Sequence, residues 1–133
     1  MPLRTPRPTD AELAILRILW DKGPCTVRQV YEELAREREL AYTTALKLLQ
    51  VMTEKGLATR EPLGLQHVYR ARYGETQTQR QLLKDLVERA FGGSMPQLVM
   101  QALATKKASP EELREIRRLL ARSRSTAKEE NND

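Results

Sequence analysis

The chain of 133 residues has one cysteine, Cys25, and one histidine, His67. A lone cysteine closes no internal disulfide, and this pair of side chains supplies neither a metal cluster nor a ready nucleophile–base couple. Serine–histidine–carboxylate chemistry would have to use the same imidazole, and no glycine-rich loop of the P-loop or dinucleotide type occurs. These absences exclude most enzyme classes, so no catalytic residue, metal or cofactor is expected. Cys25 reads as a small packed residue and His67 as a satisfied or solvated structural histidine. The longest apolar stretches, Leu13 to Trp20 and Leu98 to Leu103, fall short of the roughly 20 apolar residues that span a bilayer. Residues 1 to 10 hold Pro2, Pro6 and Pro8 with Arg4 and Arg7 but no apolar run of a secretory signal. The expectation is a cytoplasmic protein without membrane insertion.

What is present is charge and short amphipathic segments. Apolar residues make up 40% of the chain and charged residues 31%, with a net charge of +5. Cores built from so short a chain are thin, and association is one way to bury more apolar surface. Residues 1–73 carry a net +3 and residues 74–133 a net +2. The basic surplus is compatible with a polyanionic partner, but it is spread along the chain, so architecture says more than charge.

Thr9 with Glu12 forms a capping-box pattern ahead of Leu13, Leu16, Leu19 and Trp20, and Gly23-Pro24 stops the segment. The spacing predicts a helix over residues 10–22. Thr26 and Gln29 repeat the box ahead of Val27, Val30, Tyr31 and Leu34, which predicts a second helix to about residue 36. A third segment runs from Tyr42 to Gly56. At 100° per residue, Ala45, Leu48, Leu49 and Met52 share one face, while Thr43, Lys47, Gln50 and Glu54 lie opposite. That polar stripe is either an ordinary wet helix face or a surface that hydrogen-bonds base edges, Lys47 to guanine or phosphate and Gln50 to adenine.

Residues 57–61 and 66–73 alternate and are separated by Pro62, Leu63, Gly64 and Leu65, which reads as a hairpin. Tyr69, Ala71 and Tyr73 share its predicted inner face. Three helices followed by a hairpin is the order of a winged helix-turn-helix, in which the last helix enters the major groove and a basic hairpin touches flanking phosphate or minor groove. Thr43, Thr44, Lys47 and Gln50 are therefore the candidate DNA-facing residues of the helix, and Arg60, Arg70 and Arg72 those of the wing. The bland reading of the arginines is solubility. Leu63 and Leu65 at the turn are less easily explained that way.

Three further helices are predicted. Leu82, Leu83, Leu86, Val87, Ala90 and Phe91 line the first, Leu98, Val99 and Leu103 the second, and Leu113, Ile116, Leu119 and Leu120 the third. Ser94 and Ser109-Pro110 mark the starts of the last two. Helices this short cannot easily bury all these faces within one chain, so Leu82, Leu83, Leu86, Val87, Phe91, Leu98, Val99, Leu113, Ile116 and Leu120 are candidate homodimer contacts; packing on the chain's own N-terminal domain is the alternative. The expected organisation is a flexible arm (1–8), a winged-helix domain (9–74), a helical dimerisation domain (75–122) and a disordered tail (123–133). The fold class is mainly α with a small antiparallel hairpin.

Thr9 to Asp21 (T-D-A-E-L-A-I-L-R-I-L-W-D), Thr26 to Leu34 (T-V-R-Q-V-Y-E-E-L) and Leu40 to Leu57 (L-A-Y-T-T-A-L-K-L-L-Q-V-M-T-E-K-G-L) are followed by V-Y-R at 68–70, F-G-G-S at 91–94 and S-P-E-E-L at 109–113. In this order and spacing the chain resembles the BlaI/MecI group of penicillinase and methicillin-resistance repressors. The resemblance implies a homodimeric winged-helix repressor on a palindromic double-stranded operator, relieved when a membrane-bound sensor metalloprotease pathway leads to cleavage in the C-terminal region. Gln101-Ala102 stands where the family has its Asn-Phe scissile pair, and Leu46 stands where some members carry an arginine. The C-terminal cysteine cluster of copper-responsive relatives is absent. Two other readings remain at this level: a winged-helix regulator released by a small ligand, and a protein-interaction module that keeps the fold without binding DNA.

Overall fold

The computed structural model describes residues 7–105 and 107–131. Six helices and three strands follow one another as α1 (Asp10–Lys22), β1 (Cys25–Thr26), α2 (Val27–Glu37), α3 (Tyr42–Lys55), β2 (Ala58–Leu63), β3 (Gln66–Ala71), α4 (Glu75–Ala90), α5 (Met95–Thr105) and α6 (Pro110–Asn131). The described chain divides into two compact units, one ending at Asp85 and the other beginning at Leu86, so the division falls inside α4.

In the first unit, both predicted capping boxes form. The Thr9 amide donates to Glu12 Oε1 at 2.8 Å while the Glu12 amide donates to Thr9 Oγ1 at 3.2 Å, and Thr26 and Gln29 repeat the exchange at 2.8 and 3.2 Å. Each box satisfies two amides that a helix start would otherwise leave unpaired. α3 has no side-chain cap at its start, but its end is closed tightly. Gly56, at φ +83°, turns left-handed, and Leu57 donates to the Met52 carbonyl at 2.8 Å while Gly56 donates to Thr53 at 3.2 Å, a Schellman motif. An added Cβ there would also stand 3.3 Å from an Arg72 nitrogen.

The strands form one antiparallel sheet in the order β1-β3-β2. β1, two residues between α1 and α2, was not apparent in the sequence, where Thr26 read only as a cap. It pairs Cys25 with Tyr69 and Thr26 with Val68, which ties the helical layer to the hairpin. β2 reaches two residues farther into the turn than the sequence suggested, while β3 ends at Ala71, short of the expected residue 73. Leu63 pairs with Gln66, leaving a two-residue loop of Gly64 and Leu65, and the positive φ of Gly64 at the first loop position meets the need of a II′-type turn.

The core joins Ile15, Leu16 and Leu19 of α1, Val30 and Leu34 of α2, Ala45, Leu49 and Met52 of α3, and Cys25, Leu57, Ala58 and Tyr69 from the sheet region. Trp20 Nε1 donates to the Tyr73 carbonyl at 2.9 Å, pinning the end of α1 to the exit of the hairpin. The Cys25 thiol donates to the Gly23 carbonyl at 3.3 Å, and burial pushes it above its ordinary range. It is a packed side chain rather than a nucleophile.

In the second unit, Ser94 Oγ caps α5 by accepting from Gln97, and Ser109 exchanges bonds with Glu112 at 3.2 and 3.1 Å at the head of α6. α6 continues as helix to Asn131, where the sequence reading expected an unstructured tail from Ser123. Extending an established helix adds one hydrogen bond per residue without a new nucleation cost, and Ala127, Lys128, Glu129 and Glu130 favour it. Of the expected N-terminal arm, residues 1–6 lie outside the described residues, as do Asn132 and Asp133 of the expected tail.

Among the described residues of the first unit, one charged side chain is buried: Glu12, 2% exposed. Lys55 Nζ stands 2.7 Å from its carboxylate and joins the start of α1 to the end of α3. Burial alone would raise the Glu12 pKa. The Lys55 and Thr9 hydrogen bonds and the Lys55 charge outweigh that and hold it below its ordinary value of 4.5. A depressed carboxylate pKa stabilises the fold above its unfolded-state value and loses that contribution as pH falls through the folded one. Thermal unfolding followed by circular dichroism should therefore show a midpoint that declines below about pH 4.5, with a flatter decline in Glu12→Gln. Lys55→Met, which strands the carboxylate, should cost roughly 2–3 kcal/mol at neutral pH; an unchanged midpoint would remove this pair from the stability of the domain.

Candidate nucleic-acid interface

α3 presents two faces of different character. Ala45, Leu49 and Met52 are fully buried, as a 3.6-residue period requires once one side packs on α1 and α2. Thr43, Thr44, Lys47 and Gln50 are all exposed, and their side chains make no hydrogen bond or ion pair among the described residues. Thr43, Lys47 and Gln50 recur at spacings of four and three and form one row. Thr44 lies about 100° around the helix from Thr43 and flanks that row.

Beside this row an open groove of about 760 Å³ runs between the start of α2, α3 and the hairpin. Thr26, Val27, Arg28 and Gln29 form one wall, Tyr42, Leu46 and Gln50 a second, and Arg60, Leu65, Gln66, His67 and Tyr69 the third. Two guanidiniums, amides and an imidazole line it, and none of these residues carries a carboxylate. A second cleft in the first unit, against Leu16, Leu57, Tyr73 and Leu82, has a volume of only about 30 Å³, a water-sized space far below the roughly 300 Å³ at which organic-ligand pockets begin.

Register separates the three hairpin arginines. Arg60 lies opposite Tyr69 and Thr59 opposite Arg70, and residues directly opposite share a face, so Arg60 belongs to the groove side and Arg70 to the reverse. Arg70 Nε is 3.5 Å from Glu61 on that reverse face. Arg72 lies past the end of β3, with its guanidinium 5.6 Å from the Tyr73 ring centroid and a nitrogen close to Gly56. A cation beside the carbonyl end of α3 complements the helix dipole. Arg60 is thus the one of the three that lines the groove with Gln50.

Of the residues that line the groove, the sequence singled out only Gln50 and Arg60 for this surface. Arg28, Tyr42, Gln66 and His67 come from three elements: the pairing of β1 with β3 sets the start of α2 beside the hairpin, and the contact of Arg28 with the Tyr42 ring joins α2 to α3. The one available signal was Arg28 in the first turn of α2, where a cation opposes the dipole. His67 is solvated, as expected. Leu63 and Leu65 are 61% and 105% exposed at the hairpin tip, so neither packs on the domain.

In the second unit, Val87 is buried, while Phe91, Leu98, Leu113 and Ile116 are half-buried and Leu86, Val99 and Leu120 are exposed. Met95, Met100, Leu103 and Leu119 add further exposed apolar surface. Of the remaining candidate contacts, Leu82 is half-buried and Leu83 exposed on the part of α4 that belongs to the first unit. Gln101 and Ala102 are exposed within α5. Among the described residues no cluster of potential ligands is arranged for a metal ion, and no helix is long and apolar enough to cross a membrane.

Residues 8–122 match the family model described as penicillinase repressor. The chain is 31% identical over 113 residues to the transcriptional regulator BlaI of Mycobacterium tuberculosis, covering 84% of this chain and 81% of that one. It is 22% identical over 126 residues to the penicillinase repressor of Bacillus licheniformis, covering 95% and 98%. Among solved structures, that of the Bacillus licheniformis BlaI monomeric form in complex with the blaP half-operator aligns with a TM-score of 0.49 and 24% identity, over 54% of this chain and 88% of that one. By its family match and its helical and strand order, this chain is a winged-helix member of the penicillinase repressor family, whose members are transcriptional repressors rather than enzymes.

Proposed function

We propose that the protein is a homodimeric, sequence-specific repressor that binds a palindromic double-stranded operator in the cytoplasm, with residues 9–74 reading DNA and residues 75–122 joining two chains. The observation that carries this reading is the unpaired polar row Thr43, Lys47 and Gln50 on the exposed face of α3, beside a carboxylate-free groove edged by Arg28 and Arg60. A duplex offers what such a surface lacks: hydrogen-bonding base edges for the row and phosphates for the guanidiniums. Thr44 flanks the row, and Arg70 and Arg72 add charge near the wing.

If six to eight phosphates are neutralised per dimer, log affinity should fall against log salt with a slope of roughly −5 to −7. Within that frame, Lys47→Ala should weaken binding to a selected duplex by about 1–3 kcal/mol while sparing a mixed-sequence duplex, the signature of base contact. Equal loss on both would reassign Lys47 to phosphate, and a slope near zero would defeat the DNA reading.

The exposed apolar side chains of the second unit support association through a second copy. Leu86 is 48% and Leu120 58% exposed within one chain, and burying large apolar side chains of this kind against a second copy is favourable. Leu86→Asp should shift the protein from dimer to monomer in sedimentation and weaken operator binding with it; an unchanged dimer would take Leu86 out of the seam.

Relief of repression, in this reading, comes from cleavage in the C-terminal region through a membrane-bound sensor metalloprotease pathway, at or near Gln101-Ala102. Both residues sit in α5, whose hydrogen bonds must open before an extended strand can enter a protease. Intact-mass analysis of the repressor from induced cells should find a fragment ending in this helix. Full-length protein released from its operator under induction would exclude the cleavage route.

A further inference from the structure

Arg28 stands at the second position of α2, where exposed amides make a positive helix end and a second positive charge is unfavourable. The first turn of α2 holds no acidic residue, and Arg28 has no carboxylate partner among the described residues. Instead its guanidinium carbon lies 5.0 Å from the centroid of the Tyr42 ring. Tyr42, the first residue of α3, is itself held edge-on by Tyr31, with centroids 5.7 Å apart and planes at 77°. Tyr31 packs against the core. A chain of contacts therefore runs from the hydrophobic interior through two rings to a cation on the wall of the groove.

A ring engages a guanidinium through its π face and leaves the N–H groups free to donate. Arg28 lines the same groove as the hairpin's Arg60. The backbone amides of Val27 and Arg28 begin the helix there, while those of Thr26 and Gln29 are already taken by the capping box. This wall carries a positive charge and no carboxylate, and Thr43 and Lys47 of the row that would meet bases are not part of the groove lining. We propose that Arg28 contacts a phosphate of the DNA strand running along the groove, and that Tyr42 is a positioning residue that holds the guanidinium in place. This rests on the operator-binding reading above.

The test uses the full-length protein with a duplex selected by the wild type from a random pool and a mixed-sequence duplex of equal length. Arg28→Ala should weaken binding to both by a similar factor, roughly tenfold, and reduce the magnitude of the salt slope by about 0.9 per bound protomer. Its thermal midpoint should not fall, and that of Arg28→Glu should hold or rise, because a helix start favours negative charge. Tyr42→Phe should retain wild-type affinity and slope. Tyr42→Leu should lose affinity with Arg28 present and lose nothing further in the Arg28→Ala background.

Wild-type affinity and slope in Arg28→Ala would overturn the inference while leaving operator binding intact. Loss confined to the selected duplex would make Arg28 a base reader and overturn the phosphate assignment. A lowered midpoint with an unchanged slope would mark a structural role and overturn it as well. Failure of the wild-type protein to bind either duplex would overturn both this inference and the reading on which it rests.

Discussion

One buried charge among the described residues ties the end of α3 to the start of α1. Glu12 completes the cap of α1 and accepts from Lys55 at 2.7 Å, so one carboxylate holds the head of one helix against the foot of another. Both partners sit where helix dipoles favour them, an anion at an amino end and a cation at a carbonyl end. Replacing the pair by apolar residues would fill the same space without specifying how far α3 slides along α1. A hydrogen-bonded charge tolerates little displacement, and the polar row on the far side of α3 inherits that precision. The Schellman closure at Gly56 then turns the chain directly into β2, so helix and wing are positioned by adjacent residues.

The groove follows from how three short elements meet. β1 is only Cys25 and Thr26, yet its pairing with β3 sets the start of α2 beside the hairpin. Tyr69 and Cys25 fill the space beneath, and Arg60 emerges from the same face of the hairpin as Tyr69. The alternation of a strand thus sorts three arginines of similar appearance into one groove-facing cation, one paired on the reverse with Glu61, and one beside the carbonyl end of α3. Arg28 and Tyr42, by contrast, meet because α2 and α3 cross near their starts.

The second unit has a different physical problem. α5 and α6 are capped at their starts, yet both leave large apolar side chains exposed within one chain. Capping decides where such helices begin; it does not give their apolar faces a partner. The flexible side chains of Met95 and Met100 suit an adaptable contact surface, and the association proposed for this unit supplies a cover for it.

The boundaries of the helices, apart from the end of α6, were legible in the residue order, because capping boxes, terminal glycines and a 3.6-residue period are local and act over a few positions. The split of α3 into a buried face and a polar face was legible for the same reason, as was the resemblance carried by Thr9 to Leu57. What lay beyond local reading was every feature that needs two distant segments at once: the strand at Cys25, the Glu12–Lys55 bridge across 43 positions, the hairpin register that separates Arg60 from Arg70, and the stacking of Arg28 on Tyr42. Periodicity tells a side chain which way to face from its own element, but only packing determines what it faces.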